Sequence, residues 1–287
     1  MNARNLAPGI PLIESPFFSS TFNGAYQDKK VLAIARDLNN YGFAVIEFPD
    51  ENINELSESI KRELHSAYDW KMYRAGDSVD MRIQDAWKFN ESVKAIATNP
   101  TVAETLSKLF GREAFPFQTL NFPVGTRQHF HSDSIHFSSV PERFMCGVWV
   151  ALEDVEVGAG PLEYYPGSHK LPIYTHEQLG IDIRGSQKTQ VMYHDFWQQL
   201  IKELKLERKV FYAKKGQALI WLANLLHGGY EEIDRDKTRW SQVTHYYFKD
   251  CTYFSPIRST PMCGSVEYRT PYNILLDGEL MNNFCLS

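Results

Sequence analysis

The chain has few cysteines, no long apolar run and no cluster of basic residues among its 287 residues. With a formal net charge of -5 and no stripe of Lys and Arg, it lacks the positive surface that nucleic-acid binding requires. No segment is apolar over the length that a signal peptide or a membrane-spanning helix needs. We therefore expect a cytoplasmic protein that binds neither nucleic acid nor a membrane.

The four cysteines, Cys146, Cys251, Cys263 and Cys285, form no CxxC pair and no framework spacing. We expect buried or incidental thiols, because disulfide scaffolds and most cysteine zinc sites need regular spacing. The chain also lacks internal repeats, low-complexity tracts and linkers. Its 43% hydrophobic and 23% charged residues are typical of a chain that buries a full core. We predict a single domain over residues 1–287.

Residues 1–112 are predicted to be mainly helical and to pack on a β core. Apolar residues such as Ile53, Leu56 and Ile60 recur at the spacing of an amphipathic helix. A short apolar strand follows Gly42. The predicted helices span 28–38, 50–68 and 101–111, and the strand spans 43–46.

Residues 113–250 change to short β-prone runs separated by Gly, Pro and polar turns. The predicted strands span 117–123, 127–131, 145–152, 161–165, 209–213, 217–222 and 241–248. A polar helical insertion is expected at about 187–206, and residues 251–287 form a C-terminal segment. This pattern predicts a mainly β fold with flanking α-helices, whose core is a double-stranded β-helix of the jelly-roll or cupin-like kind.

His131 and Asp133 stand two residues apart in the predicted metal-binding segment. On a strand, residues two apart share a face, so both side chains can point into one cavity. An imidazole and a carboxylate on one face, joined by a distant histidine, form the facial triad of non-haem iron(II) enzymes. An HxD pair also arises by chance, so this motif needs support from elsewhere in the chain.

His129 leaves an alternative open, because His129 and His131 form the HxH pair of cupin metal sites. A cupin normally adds a glutamate four or five residues later, where this chain has Ile135 and His136. One alternative is therefore a cupin-like metalloenzyme that uses His129 and no second organic cosubstrate. Another is a non-catalytic jelly-roll binding module, in which these histidines only satisfy hydrogen bonds.

Support comes from His227, which ends an apolar strand at a Gly-Gly turn, 94 residues after Asp133. Arg239 follows and opens a predicted strand that continues with Ser241. If Arg239 and Ser241 share a strand face, the guanidinium can bind a carboxylate through two hydrogen bonds while the hydroxyl assists. This arrangement predicts an anchor for a dicarboxylate, although an arginine in a surface ion pair gives the same pattern.

In this order, the motifs over about residues 115–248 resemble the phytanoyl-CoA dioxygenase family of iron(II)- and 2-oxoglutarate-dependent oxygenases. The most specific part runs from Gly160 to Lys170. The resemblance rests on His131 with Asp133, Trp149–Asp154, Gly160–Leu162, Pro166–Lys170, and His227 with Arg239.

The resemblance implies a role for each matching residue. His131, Asp133 and His227 would bind iron(II), and Arg239 would pair with the distal carboxylate of 2-oxoglutarate. The cosubstrate pocket would also include Trp149, Gln118 and Ser241.

By the same resemblance, 2-oxoglutarate and O2 are cosubstrates, and a small molecule is oxidised as succinate and CO2 form. Asp133 stands where related halogenases have a small residue, which implies hydroxylation, desaturation or oxidative demethylation. Some family members have a small hydroxyl residue at the position of Gly229, so one cosubstrate contact is in doubt.

Substrate selection is expected from the least typical segments, around Arg82, Asp85 and Trp87, from 171–200 and from Tyr253–Arg269. These three residues mix charge with an aromatic ring, which suits a polar small molecule. No phosphate-binding loop or basic pocket for a CoA thioester is visible in the sequence. The substrate's identity and the oligomeric state are not indicated.

Overall fold

The structure is a computed structural model that describes residues 6–23, 26–77, 80–126, 128–181, 187–229 and 234–283. Its helices are α1 (Phe18–Thr21), α2 (Lys29–Tyr41), α3 (Ile53–Leu64), α4 (Trp70–Ala75), α5 (Glu91–Ala97), α6 (Pro100–Phe110), α7 (His176–Leu179) and α8 (Gln187–Glu203). Its strands are β1 (Phe43–Glu47), β2 (Ile83–Gln84), β3 (Ala114–Phe122), β4 (Ser138–Val140), β5 (Met145–Ala151), β6 (Leu162–Tyr164), β7 (Lys209–Phe211), β8 (Gln217–Leu222), β9 (His227–Gly229), β10 (Ser241–Phe248), β11 (Thr252–Phe254), β12 (Tyr268–Arg269), β13 (Tyr272–Asn273) and β14 (Glu279–Leu280).

The helices before β3 begin and end at capping residues. The Asp28 side chain accepts a hydrogen bond from the Val31 backbone N–H at the start of α2, and Gly42 ends that helix with a φ of 84°. Asn99 caps α6 in the same way, with Pro100 in its first turn. The predicted helix over 50–68 is shorter in the structure, because α3 ends at Leu64 and a 3-10 turn follows.

The main sheet has six antiparallel strands in the order β1-β8-β5-β10-β3-β2. Its centre is β10, which pairs with β5 on one side and with β3 on the other. Opposite it lies a three-stranded antiparallel sheet in the order β7-β6-β9. The mainly β, jelly-roll prediction is confirmed.

Side chains of β5 alternate between two apolar clusters, as the two-residue period of a strand requires. Val148 and Val150 pack in the larger cluster, which contains the helices. Trp149 and Ala151 face the other way, in a cluster that includes Leu162 of the small sheet. The main sheet therefore has helices on one face and the small sheet on the other. The large cluster contains residues from Ile13 to Ile274, and the single-domain assignment stays a prediction.

The prediction of a strand over 127–131 is wrong. Arg127 lies outside the described residues, residues 128–130 are not in a strand, and His131 makes only an isolated bridge to His227. Asp133 begins a 3-10 turn, because Ser132 accepts a hydrogen bond from the Ser134 backbone N–H and closes the chain on itself. Arg239 likewise precedes β10 and is not part of a strand.

The C-terminal segment forms the short strands β11 to β14, which the sequence did not predict. The helical insertion is present as α8. Cys146 and Cys251 are buried free thiols and Cys263 is exposed, whereas Cys285 lies outside the described residues. Across the described ranges, no helix is both long enough and apolar enough to cross a membrane.

Candidate metal centre

Three buried side chains form a compact cluster of metal-ligating atoms. His131, Asp133 and His227 each offer one such atom, and these atoms all lie within 4.8 Å of one another. His131 Nε2 is 3.5 Å from Asp133 Oδ1, and His227 Nε2 is 3.8 Å from Asp133 Oδ2. The structure thus brings together the three residues that the sequence singled out.

The backbone holds the two histidines side by side. The His131 N–H donates to the His227 carbonyl at 3.0 Å, and the His227 N–H donates back to the His131 carbonyl at 3.1 Å. Gly228 allows this close approach, since a Cβ there would lie 2.7 Å from the Gln128 carbonyl oxygen. An isolated backbone bridge between His131 and β9 therefore positions the imidazoles, in place of the single strand face that the sequence suggested.

Hydrogen bonds to the backbone also orient both imidazole rings. His131 Nδ1 lies 3.0 Å from the His129 carbonyl oxygen, and His227 Nδ1 lies 3.0 Å from the Leu225 carbonyl oxygen. A carbonyl only accepts, so each Nδ1 carries the proton and each Nε2 keeps its lone pair. Such contacts commonly fix the tautomer of a metal-binding histidine.

The charge state of the cluster suits a cation. Burial lowers the pKa of His227 to about 4, so its imidazole is neutral near pH 7. Burial alone would raise the pKa of Asp133, but His227 and the other imidazoles around it hold that pKa well below its ordinary value. Asp133 is therefore a carboxylate beside the neutral His227 imidazole.

Two further side chains contact Asp133, and the sequence did not reveal either. Trp221 Nε1 donates to Asp133 Oδ2 at 2.8 Å, and His245 Nε2 lies 3.8 Å from the same oxygen. The Trp221 ring covers Gly147, where an added Cβ would fall 2.1 Å from Trp221 Cζ2. A glycine inside a buried strand opposite a tryptophan was the available signal for this contact.

The cluster opens into a cavity of about 480 Å³ between the two sheets and the C-terminal segment. Apolar side chains, including Phe122, Leu162 and Val243, form part of its wall. Among the described lining residues, Asp133 is the only acid. The basic residues of the wall are Arg82, Arg239, Arg258, Arg269, His131, His136, His227 and His245.

Arg239 is a buried cation in this cavity and is only 2% exposed. Its Nε and Nη1 have no hydrogen-bond partner among the described residues, while Nη2 lies 3.4 Å from the Val124 carbonyl. Burial lowers the pKa of Arg239 to about 10, which still leaves the guanidinium charged near pH 7. Its two unsatisfied nitrogens are therefore available to an anion.

Two other unsatisfied donors lie beside Arg239. Its guanidinium carbon is 5.6 Å from the Trp149 ring centre, and Trp149 Nε1 is buried without a partner in the described structure. The Ser241 hydroxyl is also buried and unsatisfied. Three residues that the sequence assigned to the cosubstrate thus lie together on β5 and at the start of β10.

The remaining sequence candidates have different surroundings. Gln118 lines the cavity, but its Oε1 already accepts from His245 Nδ1 at 3.0 Å. Arg82 lines the cavity at its outer part. Asp85 and Trp87 do not line it, because Asp85 bonds to the Thr119 backbone N–H and to Trp87 Nε1. Cosubstrate contact by Gln118 and substrate contact by Arg82, Asp85 and Trp87 stay predictions.

The His129 ring lies outside the ligand cluster, with its centre 5.0 Å from the His194 ring. Gly229 lines a separate surface depression with His129. In the Pro166–Lys170 turn, Gly167 adopts a φ of 85° and Ser168 donates to the Tyr165 carbonyl. That turn is structural.

These observations test whether a metal and a dicarboxylate fit. Two imidazoles and one carboxylate are the donor set of mononuclear non-haem iron(II) sites. Arg239 and Trp149 line the same cavity, and their unsatisfied donors match the carboxylate end of an organic acid. Both groups fit the residues present.

Comparisons with solved structures show the same fold. The non-heme alpha ketoglutarate dependent carbocyclase SnoK from nogalamycin biosynthesis matches with a TM-score of 0.62 and 15% identity, over 90% of this chain and 95% of that chain. The epimerase SnoN in complex with Fe3+, alpha ketoglutarate and nogalamycin RO matches at 0.58 and 19%, over 78% and 86%. EctD from S. alaskensis with 2-oxoglutarate and 5-hydroxyectoine matches at 0.56 and 17%, over 83% and 80%.

No curated protein matches the chain in sequence. A model of the phytanoyl-CoA dioxygenase (PhyH) family, however, matches residues 38–233, which is more than half of the chain. The match contains all three residues of the ligand cluster, together with the Pro166–Lys170 turn. The chain therefore belongs to the phytanoyl-CoA dioxygenase family of iron(II)- and 2-oxoglutarate-dependent oxygenases.

Proposed function

We propose that His131, Asp133 and His227 hold iron(II), and that Arg239 binds the distal carboxylate of 2-oxoglutarate. The enzyme then oxidises a small molecule, most simply by hydroxylation. The observation that carries this proposal is the buried, unpaired Arg239 guanidinium in the same cavity as the ligand cluster.

A buried guanidinium without a counter-ion is costly, because the charge has lost its hydration and gained no partner. A carboxylate at Nε and Nη1 would remove that cost and would be held in one orientation. Trp149 Nε1 and the Ser241 hydroxyl offer two more donors to the same ligand. The proposal thus explains four unsatisfied polar atoms with one dianion.

Iron(II) held by these three residues would supply the oxidising chemistry, with 2-oxoglutarate and O2 as cosubstrates and succinate and CO2 as coproducts. The side chains bind and orient the metal and the cosubstrate, and they shield both from water. The carbonyls of His129 and Leu225 keep both imidazole lone pairs toward Asp133, and Trp221 holds one carboxylate oxygen of Asp133.

Phe122, Leu162 and Val243 surround the Arg239 end with apolar surface. By excluding water, they strengthen the ion pair between the guanidinium and the cosubstrate. No proton transfer by a side chain is required.

Hydroxylation is supported by Asp133, which supplies the carboxylate of the ligand set. One structural neighbour, EctD, was solved with a hydroxylated compound, 5-hydroxyectoine. Other neighbours are an epimerase and a carbocyclase, so the fold also serves other outcomes. The cupin-like alternative gains no support, because the His129 ring lies away from the cluster. A cytoplasmic location stays a prediction.

The test begins with anaerobic addition of iron(II) and 2-oxoglutarate to the purified protein. We expect the visible charge-transfer band of the ternary complex. After O2 is admitted with a panel of small metabolites, we expect succinate and a product heavier by one oxygen. A protein that binds iron but forms neither the band nor succinate would contradict the proposal.

A further inference from the structure

A second cationic position lies in the cavity, on the C-terminal segment. Ser255, Ile257, Arg258 and Arg269 all line the cavity and all lie beyond residue 233, where the family match ends. Neither the ligand cluster nor Arg239 uses this part of the wall.

Arg269 is held in place by the fold. It lies in β12, where it pairs with Tyr253 of β11. Its Nη1 donates to the buried Ser255 hydroxyl at 3.1 Å, and its guanidinium carbon is 4.8 Å from the Phe137 ring centre. Its Nε is buried without a hydrogen-bond partner in the described structure. The guanidinium is thus fixed but not fully satisfied.

The other two arginines at the outer part of the cavity have acidic partners. Arg82 lies 3.1 Å from Asp80, and Arg258 lies 3.1 Å from Glu267. Arg269 has no ion pair among the described residues. The only acid in the described wall, Asp133, belongs to the ligand cluster. This end of the cavity therefore carries an uncompensated positive charge.

Arg239 and Arg269 lie at different ends of the cavity. Ser241, Val243 and His245 share one face of β10 and span about 13 Å, at roughly 3.3 Å per residue. Arg239 lies just before Ser241. At the other end, the Phe137 ring, which contacts Arg269, has its centre 5.2 Å from the His245 ring. A dicarboxylate bound at Arg239 leaves Arg269 free for another ligand.

We propose that the primary substrate is a small anion whose carboxylate or phosphate binds Arg269, with Ser255 supporting the guanidinium. Calling this ligand the substrate rests on the function proposed above, whereas the anion site itself rests on Arg269. The cavity of about 480 Å³ must hold both ligands, which restricts the substrate to a small molecule.

The experiment uses the protein loaded anaerobically with iron(II) and saturating 2-oxoglutarate, so that Arg239 is occupied. Benzoate, phenyl phosphate and neutral benzamide are titrated separately, and binding is measured by ligand-observed NMR. Benzoate and phenyl phosphate distinguish a carboxylate from a phosphate site, and benzamide is the uncharged match. We expect at least one anion to bind and benzamide to bind at least tenfold more weakly.

Three variants locate the site. Arg269→Gln should weaken binding of the anion by about tenfold or more, since it removes a charge-assisted contact. Arg269→Lys should recover part of the affinity. Arg258→Gln removes the same charge from the same cavity, but from an arginine already paired with Glu267, and should change affinity less than twofold.

The visible band of the iron(II)–2-oxoglutarate complex separates the two proposals and also reports an intact fold. If the band forms in the wild type and in Arg269→Gln, but both bind the anion equally, the Arg269 site is wrong and the proposed function stands. Failure of every anion to bind, or equal binding of benzamide, also overturns the site. If the wild type forms no band, the proposed function fails on its own.

Discussion

The two ends of the cavity are built differently. At the cosubstrate end, Trp149 and Ser241 lie on central strands of the main sheet, Arg239 immediately precedes one of them, and all three are buried. At the proposed substrate end, Arg269 lies on a two-residue strand, Arg258 ends a 3-10 turn and Arg82 precedes the two-residue strand β2, and Arg82 and Arg258 are largely exposed. The first end is part of the protein core, and the second is attached to its edge.

This difference separates site positions whose geometry the fold constrains from positions that can change between related proteins. A buried strand position is constrained by neighbours on both sides, so a ligand placed there keeps its geometry. Short peripheral segments can change without disturbing the sheet, and specificity commonly resides in such segments. We therefore expect substitutions at the cosubstrate end to remove activity and those at the substrate end to change substrate preference.

The largest effect is expected for Asp133→Ala. Loss of the carboxylate removes one of three ligands and leaves Trp221 Nε1 without its partner, so iron binding and turnover should both be lost. Succinate release and bound iron measure the outcome. Asp154→Asn, which changes an exposed carboxylate paired with Lys214, is the control and should retain full activity. Normal succinate release from Asp133→Ala would remove the ligand assignment.

Arg239→Met should raise the 2-oxoglutarate concentration needed for half-maximal turnover by about ten- to a hundredfold. A hydrogen bond to a charged group is worth about 1.5–3 kcal/mol, and each 1.4 kcal/mol is a factor of ten. The variant without ligands should be as stable as the wild type or more stable, because it removes an uncompensated buried charge.

Thermal melting with and without 2-oxoglutarate checks both parts of the Arg239 prediction. Addition of 2-oxoglutarate should raise the melting temperature of the wild type and have little effect on Arg239→Met. A clear loss of stability in the unliganded variant would instead make Arg239 a structural residue and weaken the contrast between the two ends.

Two tryptophan variants distinguish a side chain that orients a metal ligand from one that contacts the cosubstrate. Trp221→Phe removes the donor to Asp133 and should lower iron affinity by about ten- to a hundredfold, as is usual when a residue that orients a ligand is lost. Trp149→Phe removes an unsatisfied donor near Arg239 and should raise the 2-oxoglutarate requirement by about two- to tenfold.

Iron titration and cosubstrate kinetics on both tryptophan variants separate these roles. Iron affinity should be unchanged in Trp149→Phe. If both variants affect iron alone, Trp149 does not contact 2-oxoglutarate.

The contrast between the two ends of the cavity also bears on how much of the site the sequence could predict. His131, Asp133, His227 and Arg239 were found because they lie in or next to motifs that recur in the family. The local reason was partly wrong, since Asp133 begins a turn and His131 bridges to His227 instead of sharing a strand face with Asp133. The three residues nevertheless come together, because tertiary contacts bring their ligand atoms close to one another.

Trp221 and His245 could not be predicted as neighbours of Asp133, because both lie on strands whose register decides which side chains meet. Trp221 reaches Asp133 across Gly147, its partner in the β5–β8 pairing. No local pattern specifies that pairing. The sequence pointed to the Tyr253–Arg269 segment but not to Arg269 as the proposed anion anchor, since the surroundings of Arg269 include Phe137 and Ser255, which are distant in the sequence.

The smallest effect is expected for Arg82→Gln, and this variant sharpens the comparison within the substrate end. Arg82 was one of three residues that the sequence suggested for substrate binding, and of these it alone lines the cavity among the described residues. Its side chain is 44% exposed and pairs with Asp80, so water and a neighbouring acid already compensate its charge. Loss of this charge should change affinity for benzoate or phenyl phosphate no more than about twofold and leave the iron(II)–2-oxoglutarate band intact.

If instead Arg82→Gln weakens anion binding as strongly as Arg269→Gln, the two arginines hold the anion together. The outer part of the cavity would then be a preorganised two-point site, and the distinction between a paired and an unpaired arginine would no longer identify the anchor.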